Sequence, residues 1–206
     1  MRLGILVSGR GSNLEAVLEA VADGRLPAVE PMLVISNRAG IRALEVAATR
    51  GVPWRVMPLT AYSDADERDA AIGRALRDAG CQLVLLAGYD QILRGSYFEA
   101  FGGRTINIHP SLLPRHGGPG MIGMTVHAAV LAAGDEETGV TIHDVTAAPD
   151  AGPPILQVRV PVRSGEAAAD LAERVLAIEH QAVVEVFGQL SASMTAGLEA
   201  PMQARR

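Results

Sequence analysis

The feature that most constrains this chain is an alternation of two hydrophobic periods, punctuated by glycine. Arg2–Val7 (RLGILV), Met32–Ser36, Pro53–Met57, Leu83–Ala87 (LVLLA) and Thr105–His109 read as strands. Between them Leu14–Ala22, Ile41–Arg50 and Asp64–Ala79 carry apolar residues at helical spacing, the second stopped by Gly51 and the third by Gly80. Continuous apolar strands are buried on both faces, as in parallel sheets covered by helices. Repeated β–α–β units therefore predict an α/β fold with a doubly wound, mostly parallel sheet.

The texture changes after Pro110. Residues 110–124 (PSLLPRHGGPGMIGM) hold three prolines and four glycines, which predicts a long loop with a functional role and the makings of a mobile lid. Thr138–Val145 and Ile155–Val162 alternate like half-exposed strands around a Pro/Gly-rich turn, Ala147–Pro154, and Ala167–Leu190 reads as a long amphipathic helix. The expectation is one domain over residues 1–190 and a flexible tail over 191–206.

Composition removes whole classes of function. The chain has 206 residues, and all eighteen of its basic residues are arginine. Without lysine there is no Schiff-base chemistry, no pyridoxal-phosphate enzyme and no Walker A phosphate loop. A net charge of −5 without a basic run, and 3% aromatic residues, argue against a nucleic-acid surface. No apolar run is long enough to span a membrane, and the N-terminus does not read as a signal peptide. The single cysteine, Cys81, excludes a disulfide framework and fits a reducing cytoplasm. What remains is an enzyme or a small-molecule binder.

Three constellations carry chemistry. Ser8-Gly9-Arg10-Gly11-Ser12-Asn13 joins the first strand to the first helix, and Ser12 with Glu15 has the form of a capping box. Leu14 stands where a dinucleotide fingerprint needs its third glycine, and Ser36-Asn37 replaces the ribose-gripping acid, so the turn suits a monophosphate rather than NAD. The alternative is a tight turn needing glycine for geometry alone. Asn107 and His109 project to one face of a strand that Pro110 ends, at the edge where open α/β sheets bind ligands. An amide beside an imidazole suits acyl transfer, or else the pair ties down the following loop. Asp150 lies in a Pro/Gly turn and either caps its own backbone or meets His109 in the fold. His143 alternates within a strand, His116 sits in the loop, His127 starts a helix and His180 lies on the last one. No pair has metal-ligand spacing, so no metal is expected.

Taken in order, SGRGSN, LLAGYDQIL, NIHPSLLP, GDEETGVTIH and DAGPPILQ resemble the folate-dependent phosphoribosylglycinamide formyltransferases of purine synthesis, from about residue 1 to residue 190. The resemblance implies a Rossmann-like formyltransferase fold with an antiparallel C-terminal portion. It implies 10-formyltetrahydrofolate as formyl donor and glycinamide ribonucleotide as acceptor, acted on by a monomer or homodimer. By the same resemblance Asn107, His109 and Asp150 would be the catalytic trio. Gly11, Ser12 and Asn13 would hold the acceptor phosphate and Glu179 its ribose. Asp90, Gln91, Ile92 and Leu93, with Asn107 and the stretch Thr146, Ala147, Ala148, Pro149 and Asp150, would line the pterin pocket. Many relatives have Met-Arg at Asp90-Gln91. An arginine common near the start of the Asp64–Ala79 helix falls here at Ala65, with Arg68 about one turn later. These departures bear on folate affinity. Two further readings fit the residues: hydrolysis of the formyl folate, or a catalytically silent sugar-phosphate or folate binder.

Overall fold

The computed structural model describes residues 1–199, with side chains as far as Ser193. Seven strands form one sheet: β1 (Arg2–Val7), β2 (Glu30–Ser36), β3 (Trp54–Val56), β4 (Leu83–Leu86), β5 (Arg104–His109), β6 (Glu137–Asp144) and β7 (Pro154–Pro161). Six α-helices accompany them: α1 (Ser12–Ala22), α2 (Arg42–Thr49), α3 (Ala65–Asp78), α4 (Gly95–Phe101), α5 (Met124–Ala132) and α6 (Ala168–Glu199). Strand order is β3-β2-β1-β4-β5-β6-β7, parallel from β3 to β5 and antiparallel from β5 to β7. The winding reverses between β1 and β4, so a crevice opens beyond the C-terminal ends of those two strands, where open α/β sheets place ligands.

Strand alternation divides the core in two. Leu3, Ile5 and Val7 of β1 join Leu83 and Leu85 of β4 and Ile106 and Ile108 of β5 in one cluster, covered by α1 and α6. Leu6, Val84 and Leu86 project to the other face, where Ile72 and Leu76 of α3 and Tyr97 and Phe101 of α4 cover them. A Cβ on Gly73 of α3 would stand 2.7 Å from the Tyr97 carbonyl oxygen and 2.9 Å from the Phe101 nitrogen, so the two helices touch backbone to backbone.

Local signals explain most element ends, with three differences from the sequence expectations. A cap close to a capping box forms at α3, where the N-cap Asp64 accepts from the Glu67 N–H at 2.8 Å and Glu67 reaches one residue further back to the Ser63 N–H at 2.8 Å. None forms at α1. Helix α4 was not anticipated, because seven residues with three aromatics and a glycine carry no clear period. Helix α6 continues to Glu199 rather than stopping at Leu190; of the expected tail, residues 200–206 lie outside the described part of the chain.

Candidate active site

The turn before α1 enters the helix through Gly11, whose φ of 75° is left-handed. A Cβ there would stand 2.6 Å from Ala43 Cβ and 2.8 Å from Ala43 Cα in the first turn of α2. Glycine is needed both for the conformation and for the approach of α2. The capping box expected of Ser12 and Glu15 is replaced by an ion pair, Arg42 Nη2 to Glu15 Oε1 at 2.7 Å. The N-cap is Gly11, which has no side chain, and Glu15 turns to Arg42, so the helix N-terminus carries no side-chain cap and stays open to an anion.

Across this turn stands Glu179 of α6. Asn13 Nδ2 donates to Glu179 Oε2 at 2.7 Å, and both residues are buried. Burial pushes the Glu179 carboxyl up to about 7, against the opposing pull of the Asn13 bond and of Arg10. These residues, with Gly9, Arg10, Gly11, Ser12 and His127, line a cavity of about 600 Å³. Two buried polar atoms in its walls, Asn13 Oδ1 and His127 Nδ1, have no hydrogen-bond partner among the described residues. Burial holds His127 below the ordinary histidine range.

The second constellation is assembled by the antiparallel register of β5 and β6. Asn107 pairs with His143 and His109 with Thr141, which sets the imidazole of His143 beside the Asn107 amide. The chain then turns through residues 145–153 and folds back on the end of β6, where Asp144 N–H donates to the Pro153 carbonyl at 3.0 Å. A Cβ on Gly152 would stand 1.7 Å from the Asp144 oxygen, so only glycine permits this return. Asp150 is thereby carried to the strand edge in a left-handed conformation, φ 52°, that a non-glycine residue adopts at a cost. Its carboxylate accepts from Gly118 N–H at 2.8 Å and from Asn107 Nδ2 at 3.4 Å, and it lies 3.7 Å from His109 Nδ1 and 3.6 Å from His143 Nε2. The fold brings Asn107, His109 and Asp150 together.

Hydrogen bonds assign the tautomers. His109 Nε2 donates to the His116 carbonyl at 2.8 Å, leaving Nδ1 toward Asp150. His143 Nδ1 donates to the Asp144 carbonyl at 2.9 Å, leaving Nε2 to accept from Asn107 at 3.1 Å. Burial lowers the His109 pKa and outweighs the attraction of Asp150 and the His116 bond. At neutral pH the imidazole is therefore mainly uncharged. Burial opposes ionisation of Asp150, but the neighbouring His143 ring and the Gly118 N–H hold its carboxyl below the usual range.

A second cavity, about 230 Å³, lies on this side, walled by Leu86, Tyr89, Leu93 and Val145 and edged by Asn107, His109 and Asp150. Asp90, Gln91, Ile92, Thr146 and Pro149 also line it, whereas Ala147 and Ala148 do not. The Asp90 carboxylate is committed elsewhere: it accepts from Asn37 Nδ2 at 2.8 Å and pairs with Arg38, tying the pocket loop to the end of β2. Gln91 accepts from Arg68 Nη1 at 3.2 Å, and Arg68 is paired at 2.7 Å with Asp69, both fully inside the protein. Asp69 also accepts from the Arg94 N–H at 2.9 Å. No local signal marks Asp69 or Asp135 as site-supporting residues, because Asp69 meets the Arg94 N–H 25 residues away and Asp135 meets Arg115 and His116 20 and 19 residues away. The Gly-rich loop closes one side of the cavity with residues 118–123. It is anchored before that by His116 and Gly118 rather than loose along its whole length.

The two cavities share Gly88, Ile108, Pro110 and Gly123 as common wall. Among the described residues no cluster of three His, Cys, Asp or Glu side chains stands at metal-binding spacing, and no helix is long and apolar enough to cross a membrane.

Comparison with known proteins agrees with this geometry. The formyl transferase family model matches residues 1–187. Phosphoribosylglycinamide formyltransferase of Escherichia coli is 34% identical over 87% of this chain and 82% of its own length. The trifunctional purine biosynthetic protein adenosine-3 of Gallus gallus is 39% identical over 88% of this chain, which spans only 18% of that longer relative. The crystal structure of glycinamide ribonucleotide transformylase 1 from Symbiobacterium toebii superposes with a TM-score of 0.87 at 40% identity, over 94% of this chain and 88% of the other. The chain belongs to the formyl transferase family, and within it to the phosphoribosylglycinamide formyltransferases.

Proposed function

We propose that the protein transfers the formyl group of 10-formyltetrahydrofolate to the amine of glycinamide ribonucleotide in purine synthesis. The observation that carries this reading is the common wall. A cavity built around an uncapped helix N-terminus and a buried carboxylate meets a largely apolar cavity at the edge bearing Asn107, His109 and Asp150. A sugar phosphate and a flat heterocycle bound in the two would place their reacting ends at that edge.

The acceptor phosphate sits on the N-terminus of α1 at Gly11, Ser12 and Asn13, and Glu179 accepts from the ribose hydroxyls. The pterin occupies the apolar cavity, against Ile92, Leu93 and the backbone of residues 90–93 and 146–150. The acceptor amine attacks the formyl carbon, giving a tetrahedral intermediate with an oxyanion and a positively charged nitrogen. Of the two Asn107 bonds, the 3.4 Å one to Asp150 is the weaker, and the formyl oxygen takes that N–H as charge develops. Neutral His109 accepts the proton from the attacking nitrogen at Nδ1, and the Asp150 carboxylate stabilises the imidazolium so formed. His109 then returns the proton to N10 of the folate, the C–N10 bond breaks, and formylated acceptor and tetrahydrofolate result. The proton count balances with no net uptake.

A direct assay decides. Loss of 10-formyltetrahydrofolate that requires glycinamide ribonucleotide supports transfer, while loss without it means hydrolysis. No loss with retained ligand binding means a silent binder.

A further inference from the structure

The His109–Asp150 pair is held from one loop segment that reaches the apolar cavity only at Gly118. His109 Nε2 is bound by the His116 carbonyl at 2.8 Å, and Asp150 by the Gly118 N–H at 2.8 Å. The two anchor points are two residues apart, so the position of this segment sets the relation between the imidazole and the carboxylate. His116 itself is left-handed, with φ 53°, an uncommon conformation for a residue other than glycine.

Its imidazole is held by Asp135, in the turn between α5 and β6. Asp135 Oδ2 lies 2.6 Å from His116 Nε2, and the carboxylate is 5% exposed. Arg115 pairs with the other oxygen, and Ser111 Oγ donates to the Arg115 carbonyl at 2.6 Å. Neither Asp135 nor His116 lines either cavity; together with Leu112, Arg115, Glu137 and Thr138 they close a small recess behind the loop. We infer that Asp135, acting through His116, is a positioning residue that fixes His109 against Asp150 from behind the site.

The inference rests on the assignment of proton transfer to His109 and Asp150. Around His109 the charged and titratable neighbours are Asp150, His143, His116 and His127. Around Asp135 they are Arg115 and His116, with Glu137 in the same recess. The His116 carbonyl bond raises the His109 pKa, so releasing the segment moves the His109 titration to lower pH.

The test uses the full chain, with steady-state kinetics across pH and an NMR titration of the His109 imidazole. Asp135→Ala and His116→Asn should each lower kcat about 10- to 100-fold, the scale on which misplaced catalytic groups act. Each KM should change by less than about threefold, because binding contacts remain. The acid limb of kcat and the His109 midpoint should move together to lower pH. Asp135→Asn, still an acceptor for His116, should restore most of kcat. Arg115→Ala should match the parent, since that side chain is 63% exposed. Asparagine is at home in left-handed backbone, so His116→Asn carries the test even where Asp135→Ala unfolds. Parental kcat and an unmoved His109 midpoint in His116→Asn overturn the inference. Parental turnover in His109→Ala overturns instead the assignment on which it rests.

Discussion

Asn13 and Glu179 are 166 residues apart in sequence and 2.7 Å apart in the fold, amide donating to carboxylate. Burial raises Glu179 from its usual 4.5 to about 7. The folded chain therefore holds a proton there that the unfolded chain has released, and this contribution to stability is full below 4.5 and lost as pH rises through 7. Glu179→Gln stays neutral at every pH. It should melt above the parent at pH 8 and no higher than the parent at pH 5, read by calorimetry. At pH 8 it should also bind glycinamide ribonucleotide at least about tenfold more weakly, the worth of a hydrogen bond to a charged group. Equal affinity would remove Glu179 from the ribose site.

Gly11 needs two variants to separate fold from binding. Gly11→Ala puts a Cβ into the backbone of α2 and into a left-handed conformation. The strain and overlap together cost at least about 2 kcal/mol. A drop in melting temperature of about 5 °C or more should follow. Ser12→Ala leaves that contact untouched. It should melt with the parent yet bind the acceptor about tenfold more weakly, as expected for one lost bond to a phosphate. An unchanged dissociation constant for Ser12→Ala would move the phosphate elsewhere.

For the trio the expected losses are kinetic. His109→Ala and Asp150→Ala should each lose at least about 10² in turnover, and the double variant little more than the worse single one. Asp150→Asn removes the charge that raises His109, so the acid limb should move to lower pH, not higher. A limb that stays in place returns Asp150 to the role of a turn residue.

The pair Arg68–Asp69 supports the pocket loop through Gln91 and the Arg94 N–H. Arg68→Ala strands a buried carboxylate and should cost about 3–5 kcal/mol in chemical denaturation. Gln91→Arg would set a second guanidinium against Arg68, so folate affinity should fall, by fluorescence titration. A gain in affinity would show that residue 91 reaches the folate directly.

Much of this architecture is legible in the chain because strand ends and helix ends carry local chemistry. RLGILV, LVLLA, Gly51 and Gly80 mark theirs without help from tertiary structure, and Asn107 and His109 share a face by strand geometry alone. Asp150 is different. Its arrival depends on an antiparallel register and on the close return at Gly152, and neither has a spacing rule. Ser12 does not cap α1 because the chain enters the helix one residue earlier, through Gly11, and Glu15 pairs instead with Arg42, 27 residues away. The charge of His109 is not legible in the sequence, because the burial that outweighs its carboxylate neighbour is a property of the whole fold.

The common wall has a consequence for kinetics. Each cavity opens to solvent and the two join only along Gly88, Ile108, Pro110 and Gly123, so neither occupant has to leave for the other to enter. In the proposed reaction His109 carries protons and never the one-carbon unit, so the formyl group has no resting place on the protein. Turnover must then pass through a complex holding both molecules at once. Double-reciprocal plots should intersect, and isotope should not exchange between formyl folate and tetrahydrofolate until the amine is added.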